Sequence, residues 1–171
     1  PQSSYAERER LFNTPRSTWD DYDKSLISAG GGVFARTDKT IAITPEMKAI
    51  FAIEDDSLAP NDFISALLRA PVDLIWNGGI GTYVKSSEET DADVGDKAND
   101  ALRINGKELN CRVVGEGGNL GLTQRGRMEA AANGVRVYTD FIDNAGGVNC
   151  SDHEVNIKIL IDEVVKRGDM T

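Results

Sequence analysis

An α/β fold with a mostly parallel sheet flanked by helices is what three features of the sequence predict. Three apolar, strand-like runs each lead into a loop of glycine and asparagine. From residue 44 onward, helix-like and strand-like segments alternate, an order that implies parallel strands joined by helices. The 171 residues are 40% hydrophobic and 27% charged, ordinary for a globular domain long enough to build one real core.

Residues 1–43 read as an irregular lead-in, and 44–171 as the main domain. Ser4 and Glu7 have capping-box spacing, which predicts a short helix over 4–12. Ser17 and Asp20 repeat that spacing and predict a helical turn over 17–22. Gly30-Gly31-Gly32 predicts a surface link, and loose alternation over 33–43 predicts a small hairpin or edge strand. Thr44 before Pro45 is an N-cap followed by proline at the first helical position, predicting a helix to about residue 53. Phe63, Leu67 and Leu68 share one face of a second helix over 60–70. A strand over 72–76 follows, and Thr90 opens an acidic-ended helix to about residue 104. Asn105-Gly106 stops it. A strand over 111–115, a helix over 123–132, a strand over 135–139 and a long helix over 151–166 complete the order. In the last helix, Val155, Ile159, Leu160 and Val164 form an apolar stripe, widened by Ile157 and Ile161.

In an open parallel sheet, ligands bind at the carboxyl ends of the strands. Here those ends carry Asn77-Gly78-Gly79-Ile80-Gly81, Glu116-Gly117-Gly118-Asn119-Leu120-Gly121 and Asn144-Ala145-Gly146-Gly147. Glycine lets a backbone approach a ligand, and asparagine offers donor and acceptor together. Three such loops predict a nucleotide-sized ligand lying across several strand ends. The segment 116–119 reads equally as a ligand cradle or as a tight turn that needs small residues. Ser151 with Glu154 is a capping box, which predicts an N-cap that doubles as an anion site at the helix start. No GxGxxG turn is present in this piece.

The balance of 19 basic against 28 acidic residues, −9 net, argues against nucleic acid and anionic membranes. No apolar run approaches the ~20 residues of a membrane span, no signal peptide is visible, and a cytoplasmic protein is expected. Cys111 and Cys150 lack metal-ligand spacing and read as reduced thiols. His153 between Asp152 and Glu154 is not a metal site, because adjacent helical residues diverge. Asp91, Asp93 and Asp96 read as a solvated helix start, and Arg125 and Arg127 as surface charge rather than phosphate contacts. No metal is expected. Pro1 at the start and the charged end suggest a piece of something larger.

Together these loops resemble the nicotinamide-binding domain of glutamate dehydrogenases, and more closely the large bacterial NAD-specific type. The likeness rests on Ile75-Trp76-Asn77-Gly78-Gly79-Ile80-Gly81-Thr82-Tyr83, on Glu89-Thr90-Asp91-Ala92-Asp93-Val94-Gly95-Asp96 and on Asp152-His153-Glu154-Val155-Asn156-Ile157-Lys158. It spans residues 1 to about 165. The resemblance implies a Rossmann-like, incomplete dinucleotide-binding domain, NAD as cofactor, and L-glutamate and 2-oxoglutarate as small-molecule substrate and product. It further implies that Gly78, Gly79, Gly117, Gly118, Asn119 and Asn144 contact the cofactor, with Asn144 at the nicotinamide or the substrate's amino-acid end. Val148 would line the substrate side-chain pocket and Ser151 would bind the side-chain carboxylate. Two departures stand out: Gly118 replaces the family's alanine, and Asn77-Gly78-Gly79 replaces a proline–alanine segment of the small enzymes. The family's catalytic lysine and aspartate and its glycine-rich turn lie upstream, so no catalytic residue is expected here and the piece alone should be inactive. A homo-oligomer is expected of the full-length protein. The alternatives are a leucine- or phenylalanine-type dehydrogenase and a non-catalytic nucleotide-binding domain.

Overall fold

A three-stranded parallel sheet carries the glycine-rich loops, and helices flank it, as the sequence predicts. The computed structural model describes residues 1–170, with the backbone alone at Asp152. Thr171 and the Asp152 side chain, both within the main domain as read from the sequence, lie outside the described residues. The chain divides into two units, Pro1–Ala70 and Pro71–Thr171.

In the first unit, α1 (Gln2–Asn13) starts ahead of the predicted helix, and the Ser4–Glu7 capping box does not form. Glu7 turns instead to Arg10, at 2.8 Å from Nε, and accepts the Asp23 N–H at 2.7 Å. The Arg10 hydrogen bond, followed by that N–H, holds the Glu7 carboxyl down at about 2. The next turn is a 3-10 turn at Trp19–Asp21, capped one residue later than expected, by Thr18 with Asp21. Residues 33–40 form no strand, because Asp38 closes a turn onto Ala35. The predicted hairpin therefore shrinks to β1 (Ile41–Ala42), antiparallel to β2 (Ser57–Leu58). Between them, α2 (Pro45–Phe51) begins as predicted, with Thr44 accepting the Met47 N–H at 3.2 Å. Ile41, Ile43, Met47 and Ile53 pack with Phe63 of α3 (Pro60–Leu68) to form this unit's core.

The second unit opens with β3 (Leu74–Asn77), β4 (Val84–Lys85), α4 (Asp91–Val94) and β5 (Ile104–Asn105). It continues with β6 (Val113–Glu116), α5 (Gln124–Ala132), β7 (Arg136–Val137), α6 (Asp140–Asp143) and α7 (Ala145–Lys166). The sheet order is β3-β6-β7, all parallel, with Trp76 opposite Gly115 and Asn77 opposite Glu116. β6 is central and largely buried, whereas β3 is an edge with Leu74 and Trp76 exposed. A separate parallel pair, β4-β5, buries Val84 and Ile104, with Val84 bridged to Leu122; Leu102 is buried as well. This arrangement is a partial Rossmann-like domain.

Two predicted helices need correction. The helix expected over 90–104 ends after one turn, because Gly95 takes φ +73° and closes it. Beyond it, Arg103 is buried and draws the chain inward: its Nη1 donates to Asp91 (2.6 Å) and Asp100 (2.7 Å), and its Nε to the Thr82 carbonyl (2.8 Å). A buried guanidinium needs such partners. Asp91 and Asp96 are thus counterions of a buried arginine rather than a solvated helix start, while Asp93 caps Thr90. The last helix starts at Ala145, not at Ser151. Its stripe of Val155, Ile157, Ile159, Leu160 and Ile161 is exposed. Among the described residues, no helix is long and apolar enough to cross a membrane.

Candidate functional site

At the carboxyl end of β6, Glu116 is fully buried and turns back into its own loop. Its Oε1 accepts the N–H groups of Gly121 (2.6 Å) and Leu122 (3.3 Å), and its Oε2 accepts from Arg127 Nη2 (2.5 Å). Two further carboxylates brace the same loop from the segment after β7. Asp143 accepts the Glu116 N–H and Asp140 the Leu120 N–H, both at 3.0 Å. Leu120 itself sits at φ +56°, a left-handed conformation that a non-glycine residue adopts only when held. Arg127, read from the sequence as surface charge, is therefore a buried counterion, whereas Arg125 is exposed.

The glycines divide by what surrounds them. A Cβ on Gly117 would run into the Trp76 indole at 2.7 Å, and one on Gly118 would collide with the Gly79 carbonyl oxygen. These two are small because neighbouring loops press on them. Gly79 has open space where a Cβ would stand, and Gly78 meets only the edge of Trp76 at 3.6 Å. Gly146 is likewise open, while Gly147 makes room for the Asn144 side chain. Of the two readings of 116–119, tight packing accounts for Gly117 and Gly118. An alanine at 118 would set its methyl where the Gly79 carbonyl stands.

Four of the predicted site residues meet. Asn144 Nδ2 donates to Asn119 Oδ1 at 3.0 Å, and Asn119 Nδ2 donates to Ser151 Oγ at 3.2 Å. Ser151 Oγ in turn donates to the Val148 carbonyl at 3.1 Å. Ser151 is therefore not the N-cap of α7. It lies inside the helix, past its first turn, and the predicted capping box with Glu154 is replaced by an ion pair between Glu154 and Lys158. The anion site argued from a helix start falls with it. Asn144 occupies the cap position, yet its amide is engaged by Asn119 and caps no helical N–H.

This surface offers uncharged amides and a hydroxyl, exposed at Asn119 and Ser151 and half-buried at Asn144, beside open backbone at Gly79 and Gly146. It can orient a group that both donates and accepts. Loops 77–83, 117–122 and 139–149 contain no lysine or arginine, so no side chain on them ion-pairs with a phosphate. Among the described residues, no three His, Cys, Asp or Glu side chains converge as metal ligands, and both cysteines are free thiols, Cys111 buried and Cys150 exposed. Sequence reasoning missed the bracing set of Glu116, Arg127, Asp140 and Asp143, since no spacing rule links a strand end to residues 11 and 27 positions on.

The whole chain, residues 1–171, matches the family model for the bacterial NAD-glutamate dehydrogenase catalytic domain. The chain belongs to that family. It is 76% identical over 169 residues to the NAD-specific glutamate dehydrogenase of Halomonas elongata, and 70% identical over 169 residues to that of Pseudomonas aeruginosa. With the enzyme of the same name from Mycobacterium tuberculosis, identity is 54% over 171 residues. These alignments cover 99%, 99% and 96% of this chain. The chain spans 10% of the length of each of these relatives. Within the bacterial NAD-glutamate dehydrogenase family, then, this stretch contributes part of the catalytic domain.

Proposed function

We propose that this chain forms the nicotinamide-facing part of an NAD-dependent glutamate dehydrogenase, which converts L-glutamate to 2-oxoglutarate and ammonia. The observation that carries the reading is the bonded chain Asn144–Asn119–Ser151 at the carboxyl ends of parallel strands, in a member of this family. The donor set suits the carboxamide on the nicotinamide end of a dinucleotide, and the backbone at Gly79 is open to approach. When bound, NAD supplies the hydride acceptor. Asn119 and Asn144 would hold the nicotinamide end, with the backbone at Gly78 and Gly79 close by and Gly117 and Gly118 keeping the adjoining loop low. Val148 would line the pocket for the substrate side chain. The Ser151 hydroxyl would turn from the Val148 carbonyl to donate to the substrate carboxylate. Phosphate binding and proton transfer at the amino group fall to residues outside this chain, so the piece alone is inactive. The full-length protein acts in amino-acid catabolism, as a cytoplasmic homo-oligomer with no nucleic-acid or membrane partner.

The test is an absorbance assay of the full-length protein with NAD or NADP and glutamate, leucine, phenylalanine or valine. Glutamate with NAD alone is the expected pair. Ser151→Ala should raise the KM for glutamate roughly 10-fold, as loss of a hydrogen bond to a charged group predicts. Activity with apolar amino acids only would reassign the pocket, and no activity with any pair would leave a nucleotide-binding domain without catalysis.

A further inference from the structure

The Glu116 carboxylate is fully buried in a loop that carries a predicted ligand contact, yet the proposed function gives it no role. Burial of a carboxylate is unfavourable unless partners compensate it. Here the partners are specific: the backbone N–H groups of Gly121 and Leu122, and the guanidinium of Arg127 on α5. The carboxylate thus ties the start of the loop to its end, with Asn119 between. Leu120, next to Asn119, is held in the left-handed region, which the loop would not keep unaided. An apolar pair in place of Glu116 and Arg127 would fill the same space, but it would leave two buried N–H groups without acceptors.

We propose that Glu116 is a positioning residue: anchored by Arg127, it closes the 116–121 loop so that the Asn119 amide meets Asn144 and Ser151. The inference rests on the function proposed above, because its kinetic readout is glutamate-dependent reduction of NAD.

Glu116→Gln in the full-length protein keeps the size and one acceptor oxygen but turns an amide N–H toward Arg127. The expected result is a kcat/KM per folded molecule lowered roughly 5- to 10-fold, no more than removal of the Asn119 amide itself would cost. Adding Arg127→Gln, which lets two amides pair, should recover part of the loss. Hydrogen exchange reads the loop without any activity: the Gly121 and Leu122 amides should exchange faster in Glu116→Gln, while those of α3 stay unchanged. Wild-type turnover by folded Glu116→Gln, or unchanged exchange at those two amides, would overturn the proposal. A loss of active protein in proportion to a lowered melting temperature would overturn it too. If the wild-type protein reduces no NAD with glutamate, the functional reading fails, and the exchange result alone decides the loop. Should Glu116→Gln not fold, Arg127→Lys carries both measurements, because it keeps the charge and loses the planar fork.

Discussion

Loops 77–81 and 116–121 follow adjacent parallel strands and share a vocabulary of glycine and asparagine, yet they are built differently. In the second, carboxylates accept the N–H groups of Glu116, Leu120, Gly121 and Leu122, and its three glycines lie under neighbouring atoms. In the first, the Gly79 N–H reaches only the Asn77 side chain, at 3.3 Å, and Ile80 is 93% exposed. The buried Asn77 Nδ2 has no partner among the described residues. A carboxylate enters only at the exit, where Asp96 accepts the Thr82 N–H at 2.9 Å. Glycine thus serves different ends in the two loops. In one it admits neighbouring atoms at each position, and in the other it leaves space at Gly78 and Gly79, while Gly81 at φ +129° lies against Asn99.

The contrast has measurable consequences. Arg127→Met, which strands the buried Glu116 charge, should lower the local opening free energy at Gly121 and Leu122 by about 3–5 kcal/mol, read by hydrogen exchange on the full-length protein. No comparable change should reach loop 77–81. Gly118→Ala should destabilise by about 1–3 kcal/mol, because the Gly79 carbonyl must move, whereas Gly79→Ala should stay within about 0.5 kcal/mol of wild type. Equal costs at the two positions would erase the distinction. Asn119→Ala should reduce kcat/KM for glutamate roughly 5- to 10-fold, the worth of about one neutral hydrogen bond, with little loss of stability. The smallest effect is one of pH. The Asn99 side chain, followed by the Thr82 N–H, holds the Asp96 carboxyl below its ordinary 3.8. A lowered carboxyl contributes stability that is present above its unfolded value and lost as pH falls through the folded one. Thr82 exchange should therefore accelerate, relative to Gly121, only below about pH 3.8, and Asp96→Asn should flatten that response.

Local signals were legible wherever one turn of chain settles the matter. Thr44 and Thr90 accept the N–H three residues on, as their cap signatures predict, and Thr123, read as the start of its helix, does the same. The parallel order of β3, β6 and β7 followed from the alternation of elements. Distance defeated the rest. Glu7 and Ser4 have the spacing of a capping box, but Arg10 and Asp23 compete for the carboxylate. Residues 91–104 read as one helix until a buried Arg103 collects Asp91, Asp100 and the Thr82 carbonyl. Ser151 reads as a cap because Gly146 and Gly147 discourage helix, yet the helix runs through both. The meeting of Asn119, Asn144 and Ser151 could be expected only through a family likeness. Their bonds join residues 25 and 32 positions apart, which no periodicity reports.

The close approach of Gly79 to Gly118 also makes what one position can accept depend on the other. A methyl group can appear at 118 only where the 79 carbonyl has been drawn aside, and a loop that presses in at 79 forbids it. Substitutions at the two positions should accordingly travel as pairs, and grafting either loop alone into a relative built the other way should fail where exchanging both succeeds.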